Sequence, residues 1–164
     1  MTRDNVTPFR RRKPQRPQRS PSPGGGLATH RGRAVLVHAL TLASFAVSFF
    51  APGIVLGFTG SVDAARFAGF FGLALGFAAL FVAAGNRQSA MPWAQTHHEH
   101  VVRTLVIGYA VWTLASLLTY FGPLGVAAFF IQVGVLIWVV VRAGVGLVLA
   151  ILRKPIPRPK GILF

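Results

Sequence analysis

LGVAAFFIQVGVLIWVVVRAGVGLVLAIL, residues 124 to 152, carries a single charge, Arg142, and a single amide, Gln132. A helix needs roughly 20 apolar residues to cross a bilayer, and this run exceeds that length. At about 1.5 Å per residue Arg142 stands roughly 27 Å from Leu124, near the far edge of a hydrocarbon core about 30 Å thick. From that depth its side chain reaches headgroups or a carboxylate on a neighbouring helix. The run ends at Arg153 and Lys154, which stop insertion.

Working outward, the same pattern recurs upstream. Apolar runs cover residues 34–58, 67–84 and 97–121, so with 124–152 the chain reads as all-α, an integral membrane four-helix bundle. Pro52 lies within the first run and predicts a kink in its outer third. Gly69, Gly72 and Gly76 mark the second as a close-packing helix, the last two forming a small-x-x-x-small pair. Residues 60–66 read as a short polar connection, and Gly122-Pro123 as a minimal turn joining an antiparallel hairpin.

The chain is 164 residues long with a net charge of +14, and only Asp4, Asp63 and Glu99 are acidic. The charge is not spread evenly. Residues 34–152 hold only Arg66, Arg87, Arg103 and Arg142 among Lys and Arg, the rest lying at the two ends. Residues 1–33 read as a disordered polybasic tail: five prolines oppose a helix, and Gly24-Gly25-Gly26 is a flexible joint. Arg10, Arg11, Arg12 and Lys13, with Arg153 and Lys154 in the Pro-rich tail of 153–164, are the expected contacts to anionic headgroups. Nucleic acid is not an expected partner, because no folded platform or interleaved aromatic row accompanies these charges. The first apolar run is too long for a cleaved signal and reads as an anchor. The Lys and Arg bias puts both termini and the loop between the second and third runs on the cytoplasmic side of the membrane.

That loop, residues 85–102, contains most of the polar chemistry. Trp93 suits an interfacial anchor. Thr96 and Glu99 have the capping-box spacing, which predicts a helix start near His97, and Glu99 precedes Arg103 in the favourable order for an ion pair. The topology brings His38, His97, His98, Glu99, His100, Arg103 and Arg142 to one leaflet. Shared depth and the scarcity of acids predict that Glu99 pairs with Arg142. His97 and His100 share a helix face, so metal or haem binding is a third-ranked alternative; two nitrogen ligands alone do not define a site, and His98-Glu99 lacks the second histidine of a zincin motif. No cofactor is therefore assigned.

An enzyme is not expected. There is no nucleophile elbow, no phosphate loop and no carboxylate pair at catalytic spacing, and the absence of cysteine removes thiol chemistry. The helix interiors are also short of the ionisable groups that mark ion paths. A non-enzymatic scaffold, assembly or partner-binding component is the leading expectation, with another membrane protein or a further copy of the chain as partner.

From Trp93 onward the chain resembles a group of small uncharacterised bacterial inner-membrane proteins that are distantly similar to the twenty-kilodalton subunit of the chloroplast inner-envelope translocon. The stretches that carry the likeness are WAQTH at 93–97, VVRT at 101–104, WVVVRAGVGLVLAI at 138–151 and KPIPRP at 154–159. The resemblance places Trp93, His97, Arg103, Thr104, Arg142, Gly146 and Leu147 at shared positions. It implies a translocation-like or transport component as the alternative function.

Overall fold

The structure is a computed structural model, and it describes residues 26–161. Among the described residues there are four α-helices and no strand: α1 (His30–Thr59), α2 (Val62–Asn86), α3 (Pro92–Leu118) and α4 (Leu124–Ile151), with one 3-10 turn, Thr119–Phe121, after α3. Each helix is long and apolar enough to cross a membrane. Residues 1–25, including Arg10, Arg11, Arg12 and Lys13, lie outside the described part.

α1, α2 and α3 begin earlier than hydropathy alone implies, and the reasons are local. Thr29 caps α1 by accepting a hydrogen bond from the Gly32 amide, so Arg31 and Arg33 belong to the helix instead of a disordered tail. Ser61 caps α2 in the same way through the Ala64 amide, which places Asp63 and Arg66 inside the helix. α3 starts at Pro92, where the missing amide hydrogen costs nothing. The capping box at Thr96 and Glu99 is consequently not formed: Thr96 is a full turn inside, and its hydroxyl donates to the Trp93 carbonyl.

The ends are sharply turned. Gly60 closes α1 at φ +66, a left-handed position that glycine adopts without a Cβ penalty. After α4, Arg153 takes the same region at φ +56, and the amides of Arg153 and Lys154 return to the carbonyls of Ala150 and Leu149. That is a Schellman closure with arginine where glycine is usual, at a cost of about 1–2 kcal/mol.

α1 and α3 touch across the middle of the bundle, and α2 and α4 do not touch each other. α1 and α3 are therefore the central pair, each in contact with all three other helices. Phe45 fills the centre, stacked on Tyr109 at 4.8 Å between ring centroids and edge-on to Trp112 at 5.9 Å. Close approach depends on missing side chains at each junction. A Cβ on Gly72 would meet the α1 backbone at Ser44, one on Gly76 the Tyr109 ring, one on Gly108 the Phe45 ring, and one on Gly146 the His38 ring. Gly69 lies by Pro52, which α1 accommodates within its length. The Gly72 and Gly76 pair thus serves two neighbours, α1 and α3, and is not a single dimerisation stripe.

Outward, the bundle is apolar. Phe67, Phe70, Phe77 and Phe81 of α2 are all more than 60% exposed, as are Val126 and Phe130 of α4. A water-soluble bundle presents the opposite pattern. In the outer half of the α3–α4 hairpin the Gln132 amide donates to Ser116 Oγ, so the one amide of the last apolar run is used internally.

Gly72→Val should lower stability by about 1–3 kcal/mol through backbone collision. Gly144→Ala, with nothing within 4 Å of an added Cβ, should be neutral or stabilise by up to about 1 kcal/mol through helix propensity. Thermal unfolding in detergent micelles separates the two.

Candidate functional site: a buried polar layer

At the end of the bundle where α1 and α3 begin and α2 and α4 finish, polar side chains from three helices close into one layer. α3 supplies most of it because Ala94, His97, His98, Val101, Thr104, Leu105 and Gly108 follow a helical stripe that faces inward. α1 contributes His38, and α4 contributes Arg142. His38, His97, His98 and Thr104 are fully buried, and Arg142 is 1% exposed.

The bonding follows one direction through the layer. His97 Nε2 lies 2.9 Å from the Lys154 carbonyl, which only accepts, so this nitrogen carries the hydrogen. In a neutral ring Nδ1 is then an acceptor, and His38 Nε2 donates to it at 3.0 Å. The same logic makes His100 Nε2 the donor to the Arg142 carbonyl at 3.3 Å. Among the described residues, His38 Nδ1 and His100 Nδ1 are left as buried lone pairs without a partner, and both ring nitrogens of His98 are without one. A buried group left unmatched costs about 1–3 kcal/mol, so the layer stores polar capacity that the bundle itself does not use.

Arg142 is held from the side. Its Nε donates to Thr104 Oγ1 at 2.8 Å, and that hydroxyl donates in turn to the His100 carbonyl at 2.7 Å. The guanidinium also lies 5.5 Å from the centre of the Trp138 ring. The side chain stays within the bundle. It does not pair with Glu99: the carboxylate faces away on α3, bonded to Arg103 Nε at 3.0 Å and to Arg87. The expected Glu99–Arg142 bridge is overturned because positions 97, 100 and 104 turn inward, which directs position 99 outward to the loop arginine.

The segment after α4 is part of the layer. The left-handed Arg153 turns the chain so that the Lys154 carbonyl meets His97 and the Ile156 amide donates to Thr96 Oγ1 at 3.0 Å. Ile156 is buried, while Arg153 and Lys154 are exposed. Trp93 lies half-buried and edge-on to His97 at 5.7 Å. Arg33 donates to Asn86 at 2.6 Å and ties α1 to the end of α2.

Of the seven residues expected at one leaflet, the structure joins His38, His97, His100 and Arg142 through the layer, keeps His98 buried beside them, and sets Glu99 and Arg103 on its rim. Residue spacing alone did not single out Thr104, the Lys154 carbonyl or Ile156. An isoleucine between two prolines was the available sign that the tail is seated. Among the described residues no group of three or more metal-ligating side chains is arranged to hold an ion.

In a double-mutant cycle Arg142→Met and Thr104→Val should couple by about 1–3 kcal/mol, whereas Arg142→Met and Glu99→Gln should be additive within about 0.5 kcal/mol. Thr96→Val should speed amide hydrogen exchange at Ile156 about fivefold or more, the loss of one hydrogen bond of about 1 kcal/mol. Unfolding in detergent reads the first and exchange mass spectrometry the second.

No family model matches this chain, and neither the curated proteins nor the solved structures contain a match.

Proposed function

We propose that the chain is a multi-pass protein of the bacterial inner membrane with both ends in the cytoplasm, acting as a non-enzymatic scaffold or assembly component. The observation that carries this reading is where the polar chemistry goes. Inside the bundle it locks helix ends and the segment after α4 together at one end, and the outward faces are left to large apolar side chains.

The distribution of charge supports the orientation. Among the described residues, Arg31, Arg33, Arg87, Arg103, Arg142, Arg153, Lys154, Arg158 and Lys160 all belong to the end of the bundle that holds the polar layer. At the other end only Arg66 remains, paired with Asp63. This asymmetry is the positive-inside pattern. The residues that carry the resemblance also support a shared architecture, since His97, Thr104, Arg142 and Gly146 meet in or against one buried layer.

Reporter domains fused at either terminus should both be active in the cytoplasm, and an extracytoplasmic signal at either end would overturn the topology. A photo-crosslinker at Phe77 of α2 should trap a discrete membrane-protein partner. Trapping a transiting chain from a site within the bundle would instead favour the translocation-like reading.

A further inference from the structure

Between α3 and α4, on the outer side of the polar layer, lies an apolar groove of about 300 Å³. Ile107 and Val111 form one wall, Ile131, Val135 and Trp138 the other. Its floor is open because of two glycines of different kinds. Gly108 is committed to the Phe45 ring beneath it, whereas an added Cβ on Gly134 would meet nothing within 4 Å. The groove runs roughly 10 Å along the helix axis, from Ile131 to Trp138.

What distinguishes it from ordinary lipid-facing surface is its polar end. Arg103 precedes Ile107 and Val111 by one and two turns on the same helical stripe, so it stands at the mouth of the groove on the side of the polar layer. Its side chain is 42% exposed, and Nε is engaged by Glu99. The terminal guanidinium nitrogens have no protein acceptor among the described residues. Arg87 also binds Glu99, so two guanidiniums share one carboxylate and the rim keeps a net positive charge.

We infer that this groove binds one acyl chain of an anionic glycerophospholipid whose phosphate is held by Arg103. The apolar walls take the chain, as ligand sites do when a few polar groups fix orientation at one end. The forked guanidinium suits a phosphate oxygen pair, and the Trp138 ring adds an aromatic wall to the groove. The proposal rests on the bilayer reading above, and recovery of the protein from carbonate-washed membranes tests that reading separately.

Full-length protein reconstituted in nanodiscs of equimolar phosphatidylglycerol and phosphatidylcholine, then released and delipidated gently, is examined by native mass spectrometry. The wild type should retain one phosphatidylglycerol in preference to phosphatidylcholine. Arg103→Gln should reduce that preference about fivefold, the loss of roughly 1 kcal/mol for one basic contact. Gly134→Phe, which fills open space and not the core, should abolish retention of either lipid while leaving the unfolding temperature near that of the wild type. Equal retention of both lipids by the wild type would overturn the proposal, as would retention unchanged in both variants. A wild-type dimer that Gly134→Phe converts to monomer, with no bound lipid in either, would overturn it in favour of an interface between copies of this chain.

Discussion

A guanidinium keeps its charge under almost all conditions and is costly to place in an apolar interior, so everything near Arg142 is arranged as a set of acceptors and polarisable faces. Thr104 receives its Nε, the Trp138 ring lies beside it, and its own carbonyl receives His100. These contacts fix the rotation of α4 against α3, because a slip of one residue on either helix would turn the arginine away from Thr104. The same rotation brings Gly146 against the His38 ring and so sets the distance between α4 and α1.

The consequence extends along the bundle. With α1 anchored through His38 and Arg33 at one end, Phe45 is placed over Gly108 and against Tyr109 at the centre. Polar specificity at one end and glycine-dependent packing in the middle are complementary. In the bilayer proposed above, apolar surfaces have little preference for one another, so small residues and hydrogen bonds must decide register. This explains why histidine and threonine gather in the layer while the outer faces carry apolar side chains.

Much of the architecture was legible in the residues. Length and hydropathy gave the helix count, and Gly72 and Gly76 were readable as sites of close packing. Helix starts were misread where a cap hides among polar residues: Thr29 and Ser61 look like loop, yet each satisfies an amide of the helix that follows. The gathering of histidines at one end was legible, and their division was not. Whether position 99 or position 100 faces Arg142 depends on a helix rotation that a single charged side chain does not encode, and the inward stripe from Ala94 to Gly108 settles it in favour of His100. The seating of Ile156 depended on a left-handed arginine, a conformation that composition does not announce.

The seated tail bears on how the molecule is made. His38 belongs to α1, its partner His97 follows 59 positions later, and the carbonyl that completes the chain of donors belongs to Lys154, a further 57 positions on. Until Lys154 is synthesised, His97 Nε2 has no acceptor and the layer has no closed form. A chain cut before Arg153 would therefore lack the carbonyl that closes its own interior, so the layer can set only after all four helices have been made.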